Sequence, residues 1–330
     1  MSRPQVAGTL PAAARAGRFV PWLDRSPWIW SFLGALIIWA LTAAVAQGRG
    51  GVETLSVAIQ FATFYVIVGA GQMLVISAGP GNIDLSIPGV MTLAGYLSMG
   101  AMGGSDGGLA AGLAAGLGVG LLVGIANVVL IRGLAIPPMI GTLAAGFVVQ
   151  SMAIAYSSGS TAKPAPSLAR FTTWQIADVP VMAAVVAVVT VGVAVLLRRS
   201  VFGRSVLAVG QNKRAAYLAG LRVDRTLAGV YLISAVLAGL GGTLLAAYSG
   251  GASLDMGGDY LLMSIAVVVL GGTSIAGGDA FVAGLWGAAT LLDLVVTMLN
   301  VMQMRAGLRY IVTGLIIIGV LAVARRQPSR

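Results

Sequence analysis

The sequence predicts an all-α polytopic membrane protein of about ten transmembrane helices, on three observations. Of its 330 residues, 58% are hydrophobic and 9% are charged, against about 25% charged in a soluble domain, and the mean hydropathy is +0.95. The apolar residues form continuous runs instead of alternating with period two, which argues for membrane helices and against a membrane barrel. The basic residues gather in alternate loops between those runs, as topology requires of a helical membrane protein.

The runs cover roughly 29–46, 55–78, 87–103, 109–131, 134–156, 179–197, 227–248, 260–276, 280–300 and 308–324, and about 20 apolar residues suffice for one span. Ala44-Val45-Ala46 resembles a signal cleavage site. Its apolar stretch of about 18 residues nevertheless exceeds the usual signal core of about 7–15, so it reads as a retained first span. With the N-terminus in the cytoplasm, Arg3, Arg15, Arg18, Arg25, Arg132, Arg198, Arg199, Arg204, Lys213, Arg214, Arg222, Arg225, Arg325, Arg326 and Arg330 are inside. Only Arg49, Lys163, Arg170, Arg305 and Arg309 are outside, a split of 15 to 5. Both termini are therefore expected in the cytoplasm. The expected organisation is a cytoplasmic segment 1–28, one transmembrane domain 29–324 with a large cytoplasmic loop 198–226, and a tail 325–330. The net charge of +10 follows from this topology and calls for no nucleic-acid partner.

Several chemistries are excluded. The chain has no cysteine and no histidine, so thiolate chemistry and the usual proton shuttle are absent. Its two lysines, Lys163 and Lys213, do not close a Gly-x-x-x-x-Gly-Lys phosphate loop. No nucleophile–base or metal constellation is present, so the reading is no catalytic residue, no metal, no cofactor and no enzyme.

Two segments look alike, Ser77-Ala78-Gly79-Pro80-Gly81-Asn82-Ile83-Asp84-Leu85-Ser86 and Ser249-Gly250-Gly251-Ala252-Ser253-Leu254-Asp255-Met256-Gly257-Gly258. Each is a glycine-rich break with an apolar-Asp-apolar triplet, and they lie five spans apart. An odd offset reverses orientation, so the pair suggests an inverted five-helix repeat with broken helices. Ser86 is placed to cap the next helix, Pro88 to sit in its first turn, and Asp84 to lie near its positive end. On this reading Asp84 chiefly fixes the broken helix. Polar residues inside spans are functional candidates: Gln60, Gln72, Asn127, Gln150, Asp293 and Asn300. Amides also serve simply to join helices, and Asp293 has no basic partner within a helical turn. The substrate-pathway candidates are Asp84, Ser86, Asn127, Gln150, Asp293 and Asn300.

The loop 198–226 holds a short helix in outline, with Asn212 as its cap and Gly220 as its stop. Gly210, Asn212, Lys213, Arg214, Ala215, Ala216, Ala219 and Gly220 are the candidate docking residues. The three alanines are small enough to enter a shallow groove on a soluble partner.

These patterns together resemble a known family. Asn82-Ile83-Asp84-Leu85-Ser86, Gly124-Ile125-Ala126-Asn127 with Ile136-Pro137-Pro138-Met139-Ile140-Gly141-Thr142-Leu143, Phe202-Gly203-Arg204 with Gly210, Asn212, Ala215 and Gly220, and Val267-Val268-Val269-Leu270-Gly271-Gly272-Thr273-Ser274-Ile275-Ala276-Gly277-Gly278 carry the match. In this order they are similar to the membrane permease subunits of bacterial ATP-binding-cassette importers of the ribose and simple-sugar type. Lys213 stands where that family's loop carries an acidic residue. The resemblance implies a translocation pathway for a monosaccharide in the bacterial inner membrane. It also implies a cytoplasmic ATPase docked on 198–226, an extracytoplasmic sugar-binding protein, a second permease copy or related permease, and surrounding lipid. Two alternatives are a cassette permease for branched-chain amino acids or nucleosides, and an ion-coupled secondary transporter.

Overall fold

The computed structural model describes residues 28–45, 51–157 and 162–324. Residues 1–27, Ala46, Arg49 and the tail 325–330 lie outside them, and with them eight of the basic residues that entered the charge tally. The chain is helical throughout: α1 Ile29–Val45, α2 Val52–Ser77, α3 Ile87–Met102, α4 Leu109–Val128, α5 Pro138–Ser157, α6 Pro166–Thr173, α7 Val181–Arg199, α8 Val201–Gln211, α9 Lys213–Leu218, α10 Val223–Tyr248, α11 Tyr260–Leu270, α12 Val282–Val301 and α13 Ala306–Ala324. Among the described residues a two-residue hairpin, β1 Gln175–Ile176 and β2 Val179–Pro180, is the exception to the all-helical expectation. It is far too short to span a bilayer.

Among the described residues six helical segments are long and apolar enough to cross a membrane, and four shorter helices are apolar. Most helix limits follow the apolar runs, and the differences have causes. The run 134–156 starts its helix only at Pro138, because Ala135 takes φ +55° and the chain leaves α4 through a π turn, Val129–Gly133. The run 260–276 stops at Leu270, where Gly271 and Gly272 end the helix, Gly272 with φ +95°. α10 begins before its apolar run, at Val223.

The centre of the bundle is α2 crossed by α10. α10 packs against α2, α3 and α4, while α2 also packs against α11 and α12. In α2, 83% of the apolar window is buried, against 33% in α5 and α7. α2 is thus a core helix, whereas α5 and α7 offer apolar faces such as Phe147, Val148, Val188 and Val191 to the surroundings. Lipid has no power to squeeze helices together hydrophobically, so close packing rests on small residues. A Cβ built on Gly71 would lie 2.8 Å from Ser234 Cα, so α2 and α10 meet backbone to backbone. α1 lies against α12 and buries Ser31, Ala35 and Thr42.

The ends of the bundle differ. Gln60 Nε2 donates to Thr172 O at 3.0 Å, Ser167 N to Asp106 Oδ1 at 2.8 Å and Gly104 N to Lys163 O at 3.0 Å. These bonds clamp α6 and the segment before it over one end, and the hairpin packs on α2 there. Ser77 lies 17 residues further along α2, about 26 Å away at 1.5 Å per residue. The basic loop packs at that second end, where Arg132 pairs with Asp224.

Candidate functional site

Ile83 to Ser86 enter the bundle as an extended strand of chain, and their polar atoms must be satisfied by protein. Asp84 does much of this and is fully buried. Its Oδ1 accepts from Ser86 N at 3.0 Å and from Ser86 Oγ at 2.6 Å; its Oδ2 accepts from Ser234 Oγ of α10 at 2.8 Å. Asn127 Nδ2 of α4 donates to Ser86 Oγ at 2.9 Å. Asp84 N donates to Gln72 Oε1 of α2 at 3.2 Å. On the other side, Thr142 Oγ1 of α5 accepts from Leu85 N at 3.0 Å and lies 3.2 Å from Ile83 O. The carboxylate ties the segment to α10, while Ser86 Oγ, the Asp84 backbone N–H and the Ile83 and Leu85 backbone tie it to α4, α2 and α5.

The expected Ser86 cap is corrected. Ser86 holds the N-cap position of α3 with Pro88 in the first turn, but its side chain makes no capping bond. The hydroxyl instead donates to Asp84 Oδ1 and accepts from Asn127 Nδ2, and the Ser86 backbone is helical (φ −81°, ψ −13°) where a capping serine is usually extended.

The six pathway candidates do not form one site. Asp84, Ser86 and Asn127 meet. Gln150 of α5 instead donates to Leu254 O at 2.9 Å, joining α5 to the second glycine-rich break. Asp293 is buried in α12 with Thr297 Oγ1 3.4 Å away. Asn300 is exposed at the end of α12, where Arg309 donates to it. Ser234 and Thr142, both central, escaped the reading: a lone hydroxyl in an apolar helix carries no periodic signal.

At the second end, α9 is capped as its residues require. Asn212 Oδ1 accepts from Ala215 N at 2.9 Å. Gly220 takes φ +83°, and Leu221 N then donates back to Ala216 O at 3.0 Å, a left-handed glycine stop. Of the three small alanines, Ala216 is buried in its own chain at 5% exposure, so it does not reach outward. The outward face carries Lys213, Arg214, Ala215, Tyr217, Leu218 and Ala219, with Tyr217 at 70% and Leu218 at 76% exposure.

The preceding α8, absent from the sequence reading, anchors this helix to the bundle. Ser200 Oγ accepts from Gly203 N at 2.9 Å as its cap. A Cβ on Gly210 would stand 2.5 Å from Gly278 N, so only glycine allows the approach. Gly278 N in turn donates to Ser77 O at 3.0 Å, and Ser77 Oγ donates to Asp279 O at 3.0 Å. The end of α2, the end of α8 and the glycine loop after α11 therefore form one rigid junction beside α9.

The chain has relatives among known transport permeases. It matches the family described as branched-chain amino acid transport system / permease component over residues 53–321. The chain belongs to this permease family. It is 29% identical to the ribose import permease protein RbsC of Bacillus subtilis over 269 residues, covering 80% of this chain and 82% of that one. It is 26% identical to RbsC of Escherichia coli K12 over 293 residues, covering 87% and 90%. An autoinducer 2 import system permease protein, LsrC of an Enterobacter strain, is 27% identical over 298 residues, covering 90% and 86%. No solved structure matches. The permease is a multi-pass membrane transport component, and its family is one of transport subunits, not enzymes.

Proposed function

We propose that this permease forms the translocation pathway of an ATP-binding-cassette importer for a ribose-like sugar. The observation that carries the reading is similarity to two ribose import permeases over more than four fifths of their lengths. The geometry supports it through α9: a six-residue helix is too short to be stable alone, yet it is capped at both ends, braced on the bundle and presents Tyr217 and Leu218 beside Lys213 and Arg214 on its outward face. We read it as the docking helix of a separate cytoplasmic ATPase, with a sugar-binding protein delivering cargo at the opposite face and a second permease completing the pathway in the bacterial inner membrane. ATP-driven closure of the ATPase pair would move α9 and, through the Gly210–Gly278 junction, the end of α2. Asp84 holds the broken segment in this reading and does not touch cargo.

Ten spans are supported by the six helices of spanning length together with the four shorter apolar ones, and two cytoplasmic termini by the 15 to 5 charge split. An inverted repeat is supported by matched packing. α3 lies on α10 as α11 lies on α2, α4 on α10 as α12 on α2, and α3 on α5 as α11 on α13. α1 and α7 depart from that symmetry.

Uptake of radiolabelled ribose in cells tests the function. It should stop on ATP depletion and persist when only the proton gradient is collapsed; the reverse pattern favours an ion-coupled transporter. The family's description keeps branched-chain amino acids as a second reading, and ATP-dependent uptake of leucine in place of ribose would select it.

A further inference from the structure

We propose that the β1–β2 hairpin is an interfacial anchor, whose outward face of Trp174, Ile176 and Val179 rests in the phospholipid headgroup layer beside α7. Side chains alternate along a strand, and directly opposed residues share a face. The pairs Gln175↔Pro180 and Ile176↔Val179 therefore divide the hairpin into two faces. One face turns to protein: Pro180 is buried, β2 packs on α2, and Gln175 lines a cleft with Val57 and Tyr248. The other face carries Ile176 and Val179. Trp174 joins them by alternation, opposite Val181, whose N–H donates to Trp174 O at 3.0 Å. Trp174 is 53% exposed, Ile176 58% and Val179 56%. A lone hairpin this short is marginal in water. Its turn also puts Ala177 and Asp178 at φ +48° and +63°, where Asn and Gly are the preferred residues. Contacts on both faces are needed to hold it, and among the described residues protein covers only one.

The length of α7 sets the depth. α7 begins at Val181, directly after β2, and ends on Arg198 and Arg199, both exposed. From Val181 to Arg199 the helix rises about 27 Å, close to the hydrocarbon core of about 30 Å. With the two arginines at one headgroup layer, Val181 reaches the other, and the hairpin lies in it. α7 buries Met182, Val186, Thr190, Val193 and Leu197 and leaves Val185, Val188 and Val195 exposed. The helix thus has an open apolar flank for lipid, and the hairpin sits at its head. Tryptophan suits this depth, with an apolar ring and one N–H for water or a headgroup. Just before it, Arg170 is exposed in the last turn of α6, a cation matched to lipid phosphate. The charge of Asp178 keeps the tip of the turn in water. Lipid already covers the flank of α7, which favours it over a soluble partner as the cover of the adjoining face. The proposal rests on α7 crossing the bilayer and is independent of the cargo.

The chain has no cysteine, so Ile176→Cys, Asp178→Cys and Val188→Cys each give a unique site for a polarity-sensitive fluorophore. The labels are read on the full-length permease in phospholipid nanodiscs. The label at position 176 should emit to the blue of the label at 178. Lipid bearing a nitroxide just below its headgroup should quench it, and aqueous iodide should not. The label at 178 should be quenched by iodide. The label at 188, about 10 Å along α7 from Val181, should be quenched best by a nitroxide deep in the acyl chain. Adding Trp174→Ser and Val179→Ser should shift the emission at 176 to the red, as the face loses its hold on the lipid. Iodide quenching at 176 equal to that at 178, with no effect of either nitroxide, overturns the proposal and leaves the face in water. Protection at 176 from iodide and from both nitroxides overturns it as well, in favour of a second permease copy or another protein on that face. A label at 188 that no lipid nitroxide quenches removes the span that sets the depth, and the proposal with it.

Discussion

At the scale of single residues, Asp84 shows how one side chain carries a break in a helix. Asp84→Asn keeps an oxygen for Ser86 N and Oγ, and its amide can donate to Ser234 Oγ. Asp84→Leu strands those donors in a buried site, where each lost partner costs about 1–3 kcal/mol. The leucine variant should therefore lower the thermal unfolding midpoint in detergent well below that of the asparagine variant. If both keep wild-type stability and both lose uptake, the carboxylate acts on cargo directly. Ala216 gives a second residue-scale prediction. With 5% exposure it has no room for an indole, so Ala216→Trp should overpack the α9 junction by about 1–3 kcal/mol. The cost should appear in the unfolding of the permease alone, before any partner is added.

At the scale of elements, α9 is where assembly is expected to be decided. Tyr217 and Leu218 stand out from it, and exposed apolar side chains on a short capped helix are the kind of anchor that a partner groove takes. Leu218→Ser should leave the permease stable and sharply reduce co-purification of the ATPase. Lys213→Glu should weaken assembly most at low salt, because an exposed charge acts over a screening length of about 10 Å at 0.1 M. Unchanged ATPase recovery in both variants would reduce α9 to a connector. Asn212 and Gly220 as cap and stop were legible in the sequence because capping is local chemistry. α8 was not: its contacts run through Gly210 to Ser77 and Gly278, residues far apart in the chain.

At the scale of the whole molecule, the basic loop and the α6–hairpin cover occupy opposite ends of the bundle. Arg132 meets Asp224 at one end and Lys163 lies with Gly104 at the other, in keeping with the charge tally that set them on opposite sides. A reporter fused at Gln175 should read as extracytoplasmic, and one fused after Arg330 as cytoplasmic. A cytoplasmic signal from the Gln175 fusion would remove the ten-span topology.

The sequence by itself determined the membrane-spanning helical class, the approximate limits of the apolar helices and the caps of α9, because hydropathy, glycine stops and side-chain caps act within a few residues. Tertiary structure alone decided that α2 and α10 form the core while α5 and α7 stay at the surface: all are apolar, and hydropathy cannot tell a face turned to protein from one turned to lipid. It also decided that Asp84, Ser86 and Asn127 meet while Gln150, Asp293 and Asn300 serve elsewhere. Inside a bilayer a polar group must find its partner within the protein, and which partner it finds depends on how helices distant in sequence cross.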